Sequence, residues 1–197
     1  MGQRATADEL QRWAGLEVSH VIHAGFAGGL DPSLRTGDVI QARWILGDSG
    51  MVATLSDGPP VIARDDGSSS RDPKQTLITV DRVIDSVVQK CSLWESSRAG
   101  AVEMESFHAA ALAAELGLPL TVLRAISDEA TVTLPAEASN WVRADGGTDS
   151  LAAARFALTH PWRIPQLIKL GADANNAGRT LAVAVERVLM ETLARAS

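Results

Sequence analysis

The order of apolar and polar positions along the chain predicts strands that alternate with helices. Short runs rich in Val and Ile have the length of buried strands, and they cover residues 18–24, 38–42, 44–46, 77–80, 100–104 and 120–126. Apolar positions at helical spacing predict helices over residues 6–13, 83–93, 106–116, 151–158, 164–170 and 174–193. This alternation predicts an α/β fold with a mostly parallel sheet.

Turn-forming residues mark where several of these elements end. The first strand is expected to stop at Gly25, and the alanine-rich helix 106–116 is followed by Gly117 and Pro119, which are typical helix-ending residues. Residues 56–73 are polar and rich in Gly, Ser, Asp and Pro, so they predict a long loop, and residues 129–148 are also loop-like. The sequence contains no internal repeat, and we interpret residues 1–197 as one domain.

Composition and charge exclude several classes of protein. The chain has 197 residues, of which 46% are hydrophobic and 21% charged, as in a soluble globular domain. It has no apolar run near the roughly 20 residues of a membrane span and no apolar signal core at its start, so a cytoplasmic location is expected. A net charge of −6 argues against a nucleic-acid partner, since phosphate contacts need clustered Lys and Arg.

The single cysteine limits the metal and redox chemistry that the chain can support. Cys91 excludes an internal disulfide and any multi-cysteine metal site. Its apolar neighbours, which include Val87, Val88 and Leu93, predict a buried and inert thiol. We therefore expect neither a metal nor an organic cofactor.

A glycine-rich segment follows the first predicted strand. Residues 25–30 read GFAGGL, and residues 34–40 read LRTGDVI. Glycine lets the backbone approach a ligand closely at the carboxyl end of a strand, where open α/β sheets bind their ligands. A tight turn without any ligand explains the segment equally well.

Two acidic residues lie where the strand 100–104 gives way to a helix. Glu103 and Glu105 adjoin a buried strand, where carboxylates are costly unless they have partners. A carboxylate at this junction can accept hydrogen bonds from two adjacent sugar hydroxyls. The alternative is an acid that interacts with the positive end of the helix dipole, and spacing alone slightly favours this alternative.

The apolar strand 120–126 ends in a serine and an aspartate. Asp128 follows the carboxyl end of this strand, and Ser127 is placed to orient it, so Asp128 is a candidate general acid. The alternative is an Asx turn that leads the chain away from the strand.

Taken together, the three segments resemble the motifs of the nucleoside phosphorylase and nucleosidase superfamily in their order and spacing. The matching sequences are GFAGGLDPSLRTGDVI (25–40), AVEMES (101–106) and RAISDEA (124–130). The similarity is greatest to methylthioadenosine and S-adenosylhomocysteine nucleosidases, and it extends from Met1 to about Ile126. The resemblance implies a three-layer α/β/α sandwich around a mixed, mostly parallel sheet, and an enzyme that cleaves the N-glycosidic bond of a purine-type nucleoside. Leu134-Pro135 and residues 160–165 resemble, more loosely, hopanoid-associated phosphorylases, which act on a nucleoside with a triterpenoid tail.

The resemblance implies specific roles for the motif residues. Glu105 is expected to bind the 2′- and 3′-hydroxyls of the ribose, with Met104 packed against the sugar and Glu103 beside them. Asp128, held by Ser127, is expected to protonate N7 of the departing base. Such a general acid contributes roughly 10²–10⁴-fold and needs a pKa raised towards neutrality. Further substrate contacts are expected from Phe26, Ala27, Gly28 and Val83.

Three positions depart from the pattern of the superfamily. His23 stands where phosphorylases have an arginine, and Phe26 stands where they often have Ser or Thr. His23 is neutral or half-charged near pH 7 and Phe26 has no donor, so His23 is at most a weak phosphate ligand. Val83 replaces a base-stacking aromatic residue, which predicts weaker stacking. The sequence therefore leaves two alternatives for the nucleophile, phosphate and water. A homo-oligomer is expected because relatives form dimers or hexamers.

The beginning of the sequence also departs from the family pattern. Relatives have a Gly-Met-Gly stretch before the first helix, and Met1-Gly2 matches only its end. The preceding strands carry the phosphate-binding loop or a water-activating glutamate in relatives. A start codon that is assigned too late explains the difference better than a truncated product. The alternative to an enzyme is a nucleoside-binding or inactive family member.

Overall fold

The computed structural model describes residues 18–47, 50–65, 67, 70–134 and 164–196, which form one eight-stranded sheet with helices. Its strands are β1 (Val21–Gly29), β2 (Val39–Gln41), β3 (Trp44–Leu46), β4 (Met51–Thr54), β5 (Val61–Arg64), β6 (Thr76–Thr79), β7 (Ala101–Glu103) and β8 (Leu120–Asp128). Its helices are α1 (Val87–Ser97), α2 (Ser106–Glu115) and α3 (Ile164–Ala196), and a short 3₁₀ helix covers Pro73–Gln75.

The strands follow the order β2-β8-β1-β7-β6-β3-β4-β5 across the sheet. The pairs β1–β8, β3–β6 and β6–β7 are parallel, and the other four pairs are antiparallel. The predicted mixed α/β fold is confirmed, but parallel pairs are not the majority. The β3–β4–β5 meander accounts for two of the antiparallel pairs, and one of its three strands, β5, lies in the stretch 56–73 that is predicted to be a loop.

Helices cover both faces of the sheet. Leu120, Val122 and Ile126 of β8 belong to a core cluster with Ala110 and Ala113 of α2. On the opposite face of the same strand, Leu123 packs with α3, chiefly at Ala184 and Val188. Helix α1 packs against a further core cluster through Leu93 and Trp94. Strand β8 is therefore covered by α2 on one face and by α3 on the other, while the three-layer arrangement of the whole fold stays a prediction.

Strand β1 does not stop at Gly25, as the glycine-rich sequence predicts, but continues to Gly29. It pairs in parallel with β8 from Val21 to Gly28, with Gly25 opposite Arg124. The glycines do not end the strand. They leave space beside its backbone for side chains of the neighbouring strand. A Cβ atom on Gly25 would lie 1.9 Å from Nη1 of Arg124, so the glycine leaves the space that the arginine side chain fills.

Two other stretches differ from the sequence prediction. Residues 56–73 include β5, which is an edge strand with mostly exposed side chains, so its composition looks like that of a loop. Helix α1 begins at Val87 rather than Val83, because Ser86 caps it by accepting a hydrogen bond from the backbone N–H of Gln89 (3.3 Å). Helix α3 runs without a break through Gly171, where two helices are predicted.

Cys91 is exposed, so the prediction of a buried thiol is wrong. Lys90, the residue before it on α1, is the one that faces the sheet, and the helical turn of about 100° per residue carries Cys91 outward. The predicted helices 6–13 and 151–158 lie outside the described residues. None of the helices that the structure describes is long and apolar enough to cross a membrane.

Candidate active site

Strands β1, β7 and β8 enclose a pocket together with the segment that follows β6. Its volume is about 510 Å³, within the range of roughly 300–1,000 Å³ that is usual for small-molecule sites. Nearly all the predicted site residues line it, namely Phe26, Ala27, Gly28, Val83, Glu103, Met104, Glu105, Ser127 and Asp128. A smaller pocket of about 280 Å³, near His20, Thr121 and Arg195, contains none of these residues.

A β-bulge at the end of β8 sets the position of Asp128. Ala27 pairs with Ile126 and Gly28 with Asp128, so Ser127 is an extra residue without a partner on β1. The Asp128 carboxylate lies against Gly28, where an added Cβ atom would be 3.3 Å from Oδ2. The Ser127 hydroxyl lies 2.7 Å from Oδ1 of Asp128 and donates a hydrogen bond to it. The predicted contact between these two residues is therefore present.

Lys90 is a functional candidate that the sequence analysis does not predict. Its ammonium group donates to Oδ2 of Asp128, to the carbonyl of Glu129 (2.8 Å) and to the carbonyl of Val132 (3.0 Å). An ammonium has three protons, so these three acceptors satisfy it completely. Lysines are almost never fully buried without a partner, and an amphipathic helix gives no signal that one of its lysines faces the core.

Glu103 is held by contacts with the protein itself. Its Oε2 accepts hydrogen bonds from the backbone N–H groups of Glu105 (2.9 Å) and Ser106 (2.8 Å), at the beginning of α2. It also pairs with Nη2 of Arg124 (2.9 Å), while Oε1 accepts from the Thr79 hydroxyl. Burial raises the pKa of Glu103, but the charge of Arg124 and these hydrogen bonds lower it by more. Glu103 therefore acts as an acid at the N-terminus of α2, which is the alternative interpretation given in the sequence analysis for the two acids.

Glu105 differs from Glu103 because its carboxylate faces the pocket. Its side chain is 52% exposed, and Oε2 lies 3.7 Å from Nη2 of Arg124 and 3.9 Å from Nε2 of His23. These distances favour electrostatic attraction, but they are longer than hydrogen bonds. The two carboxylate oxygens can therefore accept hydrogen bonds from a ligand.

Arg124 connects the charged residues of the site. It is buried on β8, where its Nε donates to Oγ of Ser106 (3.1 Å) and Nη2 donates to Nε2 of His23 (2.5 Å) as well as to Glu103. Arg124 is not among the predicted site residues. The signal that could have identified it is a charged residue within the apolar run 120–126. Its position depends on Gly25, whose missing side chain leaves room for the guanidinium group.

His23 lies next to Arg124 and Glu105 without lining the pocket, and it is uncharged near neutral pH. Burial lowers its pKa to about 4, with a further contribution from the charge of Arg124 and a partial opposite effect from Glu103. Its Nε2 accepts a hydrogen bond from Arg124, as only a neutral imidazole can. His23 therefore supplies no positive charge for a phosphate.

Comparison with known protein families identifies the chain. The family model of the phosphorylase superfamily matches residues 3–159. The chain belongs to the phosphorylase superfamily. No curated protein matches it in sequence.

Solved structures with the phosphorylase fold resemble this superfamily member at low sequence identity. A mutant of the Helicobacter pylori 5′-methylthioadenosine/S-adenosyl homocysteine nucleosidase, with 5′-methylthioadenosine in its active site, aligns over 92% of this chain and 74% of its own, with 18% identity and a TM-score of 0.54. A mutant of futalosine hydrolase from the same organism covers 66% of this chain at 20% identity and a TM-score of 0.51, and this chain covers 65% of its length. A 5′-methylthioadenosine/S-adenosylhomocysteine nucleosidase from S. pneumoniae covers 66% of this chain at 24% identity and a TM-score of 0.51, and this chain covers 66% of its length.

Proposed function

We propose that this member of the phosphorylase superfamily cleaves the N-glycosidic bond of a purine-type nucleoside with water. The observation that carries the proposal is that one pocket of nucleoside size contains both Glu105 and Asp128. Glu105 accepts hydrogen bonds from the two ribose hydroxyls, and Asp128, oriented by Ser127, donates a proton to N7 of the base. The bond between C1′ and N9 then breaks, its electrons go to the protonated base, and water attacks C1′. The water releases a proton, which restores Asp128 through solvent.

The charges around the ribose side of the pocket support water rather than phosphate as the nucleophile. The positive charge of Arg124 is already paired with Glu103, and Glu105 is only 3.7 Å away. His23 is neutral, and Phe26 has no hydrogen-bond donor. A phosphate dianion placed beside Glu105 would be repelled by its carboxylate, and Arg82, an exposed side chain that also lines the pocket, is the cation left to compensate this charge.

The apolar part of the wall supports a nucleoside with an apolar 5′ substituent. Phe26 is 49% exposed and Met104 is 39% exposed, and both side chains line the pocket together with Leu134 and Leu181. Exposed large apolar side chains within a concave site are typical of ligand contacts. A methylthio group fits this description, and the triterpenoid tail of adenosylhopane is the larger substituent of the same class.

The experiment is an assay of 5′-methylthioadenosine, S-adenosylhomocysteine and adenosine, with and without phosphate. Chromatography should detect free base and free ribose sugar in both buffers. Glu105→Ala should abolish nucleoside binding in calorimetry, whereas Glu115→Ala, which removes an exposed acid at the other end of α2, should bind like the wild type. Unchanged affinity of Glu105→Ala would remove Glu105 from the site, and formation of ribose 1-phosphate would show that phosphate is the nucleophile.

A second arm of the experiment tests Asp128 as the acid. Asp128→Asn should lower kcat/KM for purine nucleosides by roughly 10²–10⁴-fold, since it removes the proton donor. The loss should be much smaller for a nitrophenyl riboside, whose leaving group departs without protonation. An equal loss on both substrates would show that Asp128 is structural.

A nucleoside-binding role without catalysis is the second candidate. It is favoured by the ion pair of Asp128 with Lys90, because a carboxylate in an ion pair has no proton to donate. Tight binding of nucleosides without any product in the same assay would select this alternative.

A further inference from the structure

We propose that Lys90 is a positioning residue for Asp128, and this role rests on the proposed function. Lys90 fixes the orientation of the Asp128 carboxylate and stabilises the negative charge that remains on it after its proton moves to the base. Lys90 does not contact the substrate in this proposal, so it acts on the reaction only through Asp128.

The burial of the Lys90–Asp128 pair means that stability alone gives little reason for charges at these positions. Lys90 is 0% exposed, and the side chain of its partner Asp128 is 7% exposed. Transfer of an ammonium and a carboxylate from water into a protein interior carries a large desolvation penalty that their attraction often fails to recover. An apolar pair of similar volume usually gives equal or greater stability at such a position. The charges are therefore expected to have a chemical role.

The contacts of Lys90 hold it in one place. Its three protons go to Asp128 and to the backbone carbonyls of Glu129 and Val132, which belong to the segment that follows β8. The same segment is fastened to the beginning of α1 by the hydrogen bond from the Leu134 N–H to the carbonyl of Asp85 (2.8 Å). Because no proton of the ammonium remains, Lys90 cannot donate directly to a nucleoside.

The two oxygens of Asp128 have different partners. Oδ2 accepts from Lys90 and Oδ1 accepts from Ser127, so the rotation of the carboxylate is fixed at both oxygens. To act as the acid, Asp128 takes a proton from solvent at Oδ1, where the Ser127 hydroxyl then donates to the carbonyl of Ala27 instead (3.3 Å). When this proton moves to the base, Asp128 regains a full negative charge next to an ammonium that is already oriented. Charges and dipoles that are oriented before the reaction stabilise such developing charge most effectively.

The test compares two substrates in a series of variants of the protein. Lys90→Met keeps much of the side-chain volume and removes the charge, and Lys74→Met makes the same change at an exposed lysine. We expect Lys90→Met to lower kcat/KM for 5′-methylthioadenosine by ~10²-fold, within the range for loss of general-acid catalysis. It should change kcat/KM for a nitrophenyl riboside by less than about threefold, and Lys74→Met should change neither. When Asp128→Asn is already present, Lys90→Met should cause no further loss for 5′-methylthioadenosine, because coupled residues are not additive.

Several outcomes would overturn the inference. Equal losses on the two substrates would mean that Lys90 only supports the fold, and full activity of Lys90→Met would mean that it has no role. A further loss in the double variant would mean that Lys90 acts on something other than Asp128. If Lys90→Met alone does not fold, the double variant Asp128→Asn/Lys90→Met, which leaves neither charge buried, is compared with Asp128→Asn. Equal kcat/KM values for these two proteins support the inference, and unequal values contradict it.

The wild-type protein separates this inference from the proposed function. If the wild-type protein turns over no riboside, both the proposed function and the positioning role of Lys90 are refuted. Active wild-type protein whose Lys90→Met variant behaves like Lys74→Met would refute this role alone.

Discussion

The charge of each side chain in this site depends on its immediate neighbours. Arg124 lies beside Glu103, which it keeps ionised, and beside His23, which it helps to keep neutral. A histidine exposed to solvent would be partly protonated near pH 6.5, whereas this one is not. The residue that resembles a phosphate ligand in the sequence is therefore a neutral hydrogen-bond acceptor in the structure.

The lowered pKa of His23 predicts how stability depends on pH. Unfolded His23 takes up a proton as the pH falls through 6.5, but folded His23 does so only near pH 4. Between these values the unfolded state binds more protons, so the free energy of unfolding falls as the pH is lowered. At about 1.36 kcal/mol per pH unit, lowering the pH from 6.5 to 5 should cost on the order of 2 kcal/mol.

This prediction is checked by urea denaturation at intervals from pH 7.5 to 5. The His23→Asn variant should lose this part of the pH dependence. The lower limit of pH 5 avoids the range in which Glu103 becomes protonated, since the stability that Glu103 contributes is present above the unfolded pKa of about 4.5 and is lost below it. Identical pH slopes for the two proteins would contradict the lowered pKa.

The sequence predicts some residues of the site and not others, for physical reasons. Glu105, Ser127 and Asp128 stand at the ends of clear strands, so their positions follow from the element pattern. Lys90 is different, because the direction that a helical side chain faces depends on where the helix begins and on what packs against it. The same uncertainty explains why Cys91 is wrongly predicted to be buried.

At the scale of elements, the site depends on the close contact of β1 and β8. Arg124 on β8 crosses β1 at Gly25, and Asp128 on β8 lies against Gly28. The glycine-rich sequence indicates that something approaches the backbone closely. It does not indicate that the approaching group belongs to the neighbouring strand, because strand pairing is set by distant parts of the chain.

A side chain at Gly25 should disturb both stability and catalysis. The Cβ atom in Gly25→Ala would lie 1.9 Å from Nη1 of Arg124, so the guanidinium group or the strand must move. We expect a loss of about 1–3 kcal/mol in the free energy of unfolding, as in other overpacked cores, and at least a tenfold loss of kcat/KM. Gly58→Ala is the control, because no atom lies within 4 Å of its added Cβ. Equal melting temperatures for the two variants would contradict the prediction.

The meander β3–β4–β5 shows the limit of pattern analysis at this scale. Strand β4 has only four residues, and β5 lies at the edge of the sheet with mostly exposed side chains, so β5 lacks the apolar run of a buried strand. Strand β8 is predicted within two residues, and its two faces are covered by α2 and α3. Burial on both faces leaves a continuous apolar signal in the sequence, and exposure at an edge removes it.

At the scale of the whole molecule, this chain spans only part of the length of the proteins that it resembles. It covers 65% of the futalosine hydrolase and 74% of the Helicobacter nucleosidase. The single domain over residues 1–197 and the homo-oligomer remain predictions.

The exposed thiol on α1 makes this molecule easy to observe. The sequence has one cysteine, and it lies on the helix that carries Lys90. A fluorescent maleimide would therefore attach at a single place, beside the residue that holds Asp128, and no other thiol would need to be removed. Changes in the emission of such a dye during nucleoside addition would report movement of α1 in real time, without any assay of product.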